Sequence, residues 1–271
     1  MPTPPPRQFD FGQNWLEFSQ QALSSEKIAA AVREFKRLHE NVPLAGRTFL
    51  DIGFGQGLSL LSAHQAGARV VGCDINPKCA EALAVTQAQF STAAAITPPL
   101  VVGSVLDRAV IERLRAASPA GDGWYDIVHS WGVLHHTGDM RTAVAHAASL
   151  VRPGGHFVLA LYNRHWSSRP WLWVKWLYVH SPRWLQKTLI AVCSPIIYLA
   201  KWLVTGRSPR HQQRGMDFYY NVIDWVGGYP YEYESVNETV SRMADLGFVP
   251  LKTVTAEVPT GCNEFVFLRR A

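Results

Sequence analysis

Three glycines at alternating positions, Gly53, Gly55 and Gly57, constrain this chain more than any other feature. They follow an apolar run over 48–52, which predicts a β-strand, and precede an apolar pattern over 58–65, which predicts a helix. A sharp strand-to-helix turn needs glycine where a Cβ would clash, and close approach of the backbone to a ligand needs it too. The segment therefore predicts a βα unit with a ligand at the end of its strand, although the turn alone also fits an ordinary tight βα loop.

Strands and helices alternate after this turn. The patterns predict strands over 69–73, 100–103, 125–130 and 155–162, and helices over 77–90, 107–117 and 140–151. Such alternation is typical of a parallel sheet covered by helices on both faces. A helical segment over 9–40, with Ser25 as an N-cap, comes before it; a helix over 235–246 and strands over 249–255 and 264–268 come after it.

The chain is long enough, at 271 residues, for one large α/β domain with additional segments. We predict a lead and helical cover over 1–44, and a domain over 45–271 that carries an insertion at 163–230. The start, 1–6, lacks the apolar core of a secretory signal and is predicted to be a short disordered lead. The four cysteines form no C-x-x-C pair, which favours a reducing, cytoplasmic location.

Two acidic residues frame the glycine turn. Asp51 lies two residues before Gly53, and Asp74 follows the second predicted strand. A carboxylate at the position of Asp74, the end of the second strand, can accept hydrogen bonds from both ribose hydroxyls of a nucleoside. The spacing G-x-G-x-G differs from the G-x-G-x-x-G of dinucleotide-binding proteins, and Asp51 would repel a pyrophosphate but attract a cationic ligand. A nicotinamide-dependent oxidoreductase is therefore disfavoured.

At these residues the sequence resembles the class I S-adenosylmethionine-dependent methyltransferase superfamily. The resemblance covers about residues 45–162 and includes 102–107 (VGSVLD), 125–140 (YDIVHSWGVLHHTGDM) and 150–155 (LVRPGG). Within the superfamily the chain is most similar to the ubiquinone-biosynthesis methyltransferases, which act on small molecules. The resemblance implies a Rossmann-like, seven-stranded α/β sheet in the order 3-2-1-4-5-7-6, with the last strand antiparallel, and S-adenosylmethionine as the cofactor.

The same resemblance implies a set of cofactor-binding residues. Two carboxylates would hold polar groups of the cofactor, Asp51 the methionine ammonium and Asp74 the ribose hydroxyls. The glycine turn would line the methionyl and ribose portion, and further side chains would surround the adenine or the sulfonium. The additional residues are Ile75, Ser104 and Val105 at the adenine, Ser130 and Trp131 near the sulfonium, and Gly53, Gly55 and Gly57 of the turn.

Side chains that follow the later strands are candidates for the methyl-acceptor site, because open α/β sheets bind ligands at the carboxyl ends of their strands. Removing a proton from the acceptor requires a base, so His135, His136 and Tyr162 are candidate catalytic residues. The same residue types at these positions are also typical of loop caps and core packing. Candidate substrate-binding residues are Trp15, Asn163, Tyr229, Asn263 and Glu264.

Members of the ubiquinone branch commonly carry an acid after the fourth strand that helps bind a divalent metal. This chain has 131–136 (WGVLHH) there, so the sequence predicts no metal site. We expect methyl transfer to an oxygen, nitrogen or sulfur nucleophile of a small molecule. Three alternatives stay open: a small thiol specifically, a lipid- or quinone-like hydroxyl at a membrane surface, and a methyltransferase-like binding scaffold without activity.

Residues 163–230 break the alternation. Six of the ten tryptophans lie between 166 and 202, and nine basic residues but no Asp or Glu lie between 164 and 214, although the net charge of the chain is only +5. The apolar run over 189–200 is too short to span a bilayer. Three interpretations are open: a lid over the domain, a peripheral contact with the inner membrane through 166–204, and a dimer interface or a pocket for an anionic substrate. Because no nucleic-acid-binding module is recognisable, no nucleic-acid partner is expected.

Overall fold

The computed structural model describes residues 8–90, 96–209 and 215–271 of the chain. One sheet of seven strands has the order β3-β2-β1-β4-β5-β7-β6. β7 runs antiparallel to β5 and β6, and the other neighbours are parallel. This confirms the predicted Rossmann-like sheet order. The strands are β1 (Thr48–Ile52), β2 (Arg69–Asp74), β3 (Leu100–Val102), β4 (Tyr125–Trp131), β5 (Val151–Tyr162), β6 (Phe248–Val254) and β7 (Cys262–Arg269).

Helices surround this sheet, and a 3₁₀ turn follows β4 at Leu134–His136. The helices are α1 (Phe11–Gln21), α2 (Ser25–Leu38), α3 (Leu58–Gln65), α4 (Lys78–Gln89), α5 (Arg108–Ala116), α6 (Met140–Ser149), α7 (Ser168–His180), α8 (Arg183–Thr205), α9 (Phe218–Gly227) and α10 (Val236–Asp245).

The apolar core lies on both faces of the sheet. Successive side chains of a strand point to opposite faces, so Phe49 and Leu50 of β1 enter different clusters, and both are fully buried. Phe49 packs with residues of α2, α3 and α4, whereas Leu50 packs with residues of α5, α6 and α10. The strands that hold the site are therefore covered on both faces, and their carboxyl ends stay available for ligands.

The predicted helical segment over 9–40 is two helices, α1 and α2, separated at 22–24. The N-cap of α2 is Ser24 rather than the predicted Ser25, because the Ser24 side chain accepts a hydrogen bond from the backbone N–H of Lys27. The break separates two packing directions. Phe35 and Leu38 of α2 join the core beside the sheet, whereas α1 lies against α4 and α9.

The insertion after β5 contains α7, α8 and α9, which pack around an apolar cluster that includes Tyr178, Ile197 and Val222. α8 is a continuous 23-residue helix that includes Pro195. Among the described residues it is the one helix that length and apolar composition would allow to cross a membrane. The expectation that the apolar run is too short is corrected, because the helix continues well beyond 189–200 on both sides.

Two predicted features lie outside the described residues. They are the lead at 1–6 and the last two basic residues of the insertion, Arg210 and Arg214.

The large-to-small variant Phe157→Ala tests the core of the sheet. Phe157 of β5 is fully buried, so its replacement should lower the free energy of unfolding by about 3–5 kcal/mol through lost contacts and a residual cavity. The matched variant Leu251→Ala, at an exposed position of β6, should change it by less than about 0.5 kcal/mol. Urea unfolding followed by circular dichroism measures both. Similar values for the two variants would contradict the placement of Phe157.

Candidate cofactor and acceptor site

One cavity of about 920 Å³ lies at the carboxyl ends of the parallel strands. Its walls come from the loops after β1, β2, β4 and β5, from α1, from the helices of the insertion and from the segment before β7. Ligand pockets typically measure roughly 300–1,000 Å³, so this cavity is large for a single small ligand. A cofactor and a second molecule can lie in it together.

The glycine turn forms one end of the cavity. Gly53 and Gly55 both have left-handed backbone, with φ values of +77° and +54°. A Cβ on Gly53 would lie 2.3 Å from a methyl carbon of Val133, and one on Gly55 would lie 3.1 Å from the indole nitrogen of Trp15. Both positions therefore require glycine. Gly57, the third member of the predicted turn, is not in the cavity wall; it is the N-cap residue of α3.

Asp51 ends in the cavity wall beside this turn and is almost completely buried. One carboxylate oxygen, Oδ1, lies 2.9 Å from Nδ1 of His129, which donates to it. The other oxygen, Oδ2, has no hydrogen-bond partner among the described residues. A buried carboxylate oxygen without a donor is costly, and a cationic group in the cavity would satisfy it. This fits the methionine ammonium that the resemblance assigns to Asp51.

Asp74 lies in the same wall at the end of β2. Its Oδ2 accepts a hydrogen bond from the backbone N–H of Gly55 at 3.1 Å, and its Oδ1 accepts one from Asn76 at 3.0 Å. Burial raises the pKa of this carboxyl, and the two backbone donors oppose that rise. Ile75, Ser104 and Val105 also line the cavity. The residues expected at a ribose and an adenine are thus together.

Helix α1 covers this end of the cavity. Phe11 and Trp15 line it, and Trp15 lies over Gly55. The helix is held by its N-cap residue Asp10, whose carboxylate accepts hydrogen bonds from Asn76 at 2.7 Å and Lys78 at 3.3 Å. Trp15, predicted to bind substrate, is placed where it would cover the cofactor.

Tyr162 and the two histidines after β4 occupy different environments. His136 and Tyr162 line the cavity, whereas His135 is fully buried behind it and accepts a hydrogen bond at Nδ1 from the backbone of Tyr162. Nδ1 of His136 lies 2.6 Å from the carbonyl oxygen of Pro230. A carbonyl only accepts, so Nδ1 carries the proton and Nε2 is the acceptor. Burial lowers the pKa of His136 to about 3, which keeps the ring neutral.

Trp131 is in the cavity wall, but several other predicted residues lie behind that wall. Ser130 is buried and donates to the carbonyl of Ile52, which links β4 to β1. Glu264 accepts a hydrogen bond at 2.7 Å from the Trp131 indole and at 2.6 Å from Arg37. Glu264 therefore orients an aromatic ring of the wall.

Asn163 and Asn263, two predicted substrate-binding residues, join β5 to the segment before β7. Asn263 donates to the side chain of Asn163 at 3.1 Å, and Asn163 donates to the carbonyl of Pro259, which lines the cavity. The side chain of Tyr229 is not in the wall; its carbonyl accepts a hydrogen bond from the backbone of Phe9. These three residues connect the segments around the cavity through hydrogen bonds, and the structure gives them a positioning role in place of the predicted substrate contact.

Two charged residues of the insertion were not among the predicted site residues. Asp224 of α9 lines the cavity, accepts a hydrogen bond at 2.6 Å from Asn14 of α1, and has its pKa raised to about 7 by burial. Lys175 of α7 is fully buried, with its ammonium 4.3 Å from the ring centre of Trp225 and 4.7 Å from that of Tyr231. Burial also lowers the pKa of Lys175.

A sequence signal for both residues exists in hindsight. Asp224 is the single acid in α9 (FYYNVIDWVG), and Lys175 interrupts the aromatic and aliphatic run of α7. Isolated charges inside apolar helices are costly unless the fold gives them a partner or a role.

The described ranges contain no group of three His, Cys, Asp or Glu side chains that could hold a metal ion. The predicted absence of a metal remains a prediction.

The sequence matches a family model described as a methyltransferase domain over residues 23–219, which is more than half of the chain. A ubiquinone biosynthesis O-methyltransferase of Aromatoleum aromaticum is 35% identical over 148 residues, which are 50% of this chain and 57% of that protein. The chain therefore spans a little over half the length of the curated relatives it matches.

Two solved structures show a similar fold. One is magnesium protoporphyrin IX methyltransferase from Synechocystis PCC 6803 with bound SAH, with a TM-score of 0.52 and 17% identity over 97% of this chain and 89% of that chain. The other is Burkholderia thailandensis 1,6-didemethyltoxoflavin-N1-methyltransferase, with a TM-score of 0.50 and 15% identity over 96% of this chain and 87% of that chain.

The variant Asp74→Ala tests the ribose site. Loss of a partly buried carboxylate that would accept hydrogen bonds from two ribose hydroxyls should weaken S-adenosylhomocysteine binding at least about tenfold. The matched variant Asp122→Ala removes a half-exposed acid that pairs with Arg152 outside the cavity, and should leave the affinity unchanged. Titration calorimetry measures both. Unchanged affinity in Asp74→Ala would show that the nucleoside is not held there.

The variant Trp15→Ala tests the cover formed by α1. Removing the indole that lies over Gly55 should raise the dissociation constant of S-adenosylhomocysteine about 5- to 20-fold, because the ligand loses an aromatic contact and is exposed to water. Trp124→Ala is the matched control, since Trp124 stacks with Arg115 and Arg269 away from the cavity. Equal effects in the two variants would contradict a covering role.

Proposed function

The chain belongs to the methyltransferase-domain family, and on that premise we propose that it transfers a methyl group from S-adenosylmethionine to an oxygen or nitrogen atom of a small molecule. The family match confirms the predicted superfamily, the enzyme class and the cofactor. The observation that carries the finer proposal is Asp224, a carboxyl in the wall of the same cavity that Asp51 and Asp74 line.

The residues at the glycine turn fit S-adenosylmethionine. Asp51 offers a buried oxygen to the ammonium, Asp74 offers a carboxylate to the ribose, and Gly53 and Gly55 present backbone without a side chain in the cavity wall. When bound, this cofactor supplies a methyl group already activated by a positive sulfur. The protein must mainly hold a nucleophile in line with that methyl group and remove the proton of the nucleophile.

Asp224 is the group we propose as the general base. It lies on α9, lines the cavity and accepts a hydrogen bond from Asn14 of α1. The groups that face it are Lys175 on α7, Tyr162 on β5 and Asn14 on α1. A general base works best when its pKa is close to the working pH, because much of it is then deprotonated and it still binds a proton strongly enough to remove one from the acceptor. Asp224 meets that condition, since its pKa is raised to about 7.

His136 has a different proposed role. Its Nδ1 proton is directed to Pro230, so Nε2 presents a lone pair, and the ring lies in the cavity wall. With a pKa of about 3 the imidazole is a poor base, but it accepts a hydrogen bond well. It would orient an acceptor hydroxyl or amine, and Asp224 would take the proton.

The remaining wall indicates the kind of acceptor. Trp171, Ile197 and Trp225 line the cavity beside Asp224 and favour an apolar or planar molecule. Hydroxyl and amine acceptors need a base, whereas a thiol ionises more readily and needs less help. Asp224 therefore favours oxygen or nitrogen over the alternative of a small thiol, and relatives named as O-methyltransferases are in line with oxygen.

Methyl-labelled S-adenosylmethionine tests this proposal directly. The purified protein is incubated with the label and a cell extract, and the products are divided into volatile, lipid-extractable, aqueous and macromolecular fractions. Label in O-methyl or N-methyl products of the lipid or aqueous fraction is expected. Volatile label would identify a small thiol, and label confined to macromolecules would overturn the small-molecule proposal. A protein that binds S-adenosylhomocysteine but transfers no label would favour the binding scaffold.

The pH profile of methyl transfer tests Asp224. Only the carboxylate accepts a proton, so kcat should rise with pH through about 7 and then level off. Asp224→Asn should lower kcat about 100-fold or more, flatten that rise and leave S-adenosylhomocysteine affinity unchanged. Asp217→Asn is the matched control, because Asp217 caps the same helix and asparagine also caps helices. A wild-type profile in Asp224→Asn would assign the base elsewhere.

A further inference from the structure

Helix α8 exposes an apolar stripe, interrupted by Thr188 between Trp184 and Val192. Trp184, Val192, Ile196, Leu199 and Leu203 recur at helical spacing along it, and each is about half exposed or more. The opposite side of the same helix is buried, with Ile190 and Ile197 packed on the apolar cluster of the insertion. A stripe of this length on a helix surface is not explained by the packing of the domain.

Helix α7 adds aromatic residues to the exposed surface of the insertion. Trp173, Trp176 and Leu177 share one face of α7, and Trp173 is 70% exposed. We call these residues together with the α8 stripe the α7–α8 face. Tryptophan is the side chain that prefers the boundary between water and hydrocarbon, because its ring is apolar and its N–H needs a polar partner.

The charged residues of α7, α8 and the segments that flank them are all basic. Arg169 lies exposed at the start of α7, Arg183 and Lys187 lie exposed in the first turns of α8, and Arg207 follows α8. The sequence from 164 to 214 contains no Asp or Glu. A helix pair that carries tryptophan, aliphatic residues and cations, and has no acid in its own sequence, is complementary to anionic lipid headgroups above an apolar layer.

The cavity adjoins this same face. Ile196 and Val204 of α8 line the cavity, yet they are 58% and 54% exposed. Ile196 also belongs to the apolar stripe of α8. The α8 wall of the cavity therefore meets the α7–α8 face at Ile196.

We propose that the α7–α8 face docks onto an anionic phospholipid bilayer, with α7 and α8 in the interface and the cavity opening toward the lipid. A methyl acceptor dissolved in the bilayer would then enter the cavity without crossing water. The docking surface stands on its own, whereas this route for the acceptor rests on the proposed methyl transfer.

α8 has the length of a membrane span, but its contacts assign it to the interface. Ile197 and Lys201 of α8 line the cavity, and Lys201 donates to Asn221 of α9 at 2.9 Å. A helix that crossed the bilayer would have to give up these contacts and open one wall of the site. Its flanking cations favour an interfacial position as well, since they can reach headgroups while the stripe is buried.

Vesicle co-sedimentation of the full chain tests the docking surface. The vesicles are phosphatidylcholine alone, or phosphatidylcholine mixed with phosphatidylglycerol. We expect the protein to sediment with the mixed vesicles, to bind phosphatidylcholine at least about tenfold more weakly, and to lose affinity in high salt, because screening weakens attraction between cations and the anionic surface.

Two double variants separate the apolar from the electrostatic contribution to vesicle binding. Trp184→Ser with Leu199→Ser, and Arg183→Glu with Lys187→Glu, should each lower binding to the mixed vesicles at least about tenfold. Leu251→Ser with Arg270→Glu is the matched control, since both residues are exposed at β6 and beyond β7. None of these positions lines the cavity, so S-adenosylhomocysteine affinity, measured by calorimetry, checks that each variant is folded.

Several outcomes would overturn the docking surface. The first is failure of the wild-type chain to bind the mixed vesicles, and the second is equal binding by the apolar double variant and the control. The third is a dimer in solution that Trp184→Ser with Leu199→Ser dissociates, in a protein that does not bind vesicles. Resistance of the bound protein to extraction at alkaline pH would replace docking by a membrane span. Because vesicle binding needs neither cofactor nor acceptor, failure of methyl transfer leaves this result intact.

Discussion

The turn between β1 and α3 is the constraint on which the end of the cavity lined by Asp51 and Asp74 depends. Its backbone is tied to β2 twice, by the N–H of Gly53 on the carbonyl of Cys73 at 2.7 Å and by the N–H of Gly55 on the carboxylate of Asp74 at 3.1 Å. The left-handed backbone of both glycines makes these two bonds compatible with the start of a helix. As a result, the carboxylates of Asp51 and Asp74 end in one wall.

The other part of the cavity wall, which includes Asp224, is built by helices that lie outside the sheet. α1 and α9 approach from distant parts of the chain and meet in the hydrogen bond between Asn14 and Asp224. Behind them, Lys175 is enclosed by the rings of Trp225 and Tyr231, where its charge cannot be hydrated. The cost of moving such a group restricts how α7 and α9 can pack. The position of Asp224 on α9 thereby depends on α7, one of the two helices whose outer face we propose to dock onto lipid.

The sequence predicted which residues lie together where they belong to short segments at strand ends. The glycine turn, Asp51 and Asp74 belong to short motifs next to strands, so their positions follow from the strand ends alone. It was less informative for polar residues later in the chain. Glu264 and Ser130 are residue types that often bind ligands, yet both make hydrogen bonds within the protein. Glu264 accepts one from the indole of Trp131, and Ser130 donates one to the carbonyl of Ile52 on β1. Whether a polar side chain meets a ligand or another strand depends on its neighbours in space, and periodicity does not give those.

The sequence by itself determined the βα alternation, the glycine turn and the pair of acids, because backbone conformation and strand period are local properties. Tertiary structure alone decided that Asp224 shares a cavity with the glycine turn, that His136 faces the cavity while His135 does not, and that α8 is exposed on one side. These outcomes depend on which helices cover which strand ends. That choice is made by burial of apolar surface summed over the whole chain, so no single segment encodes it.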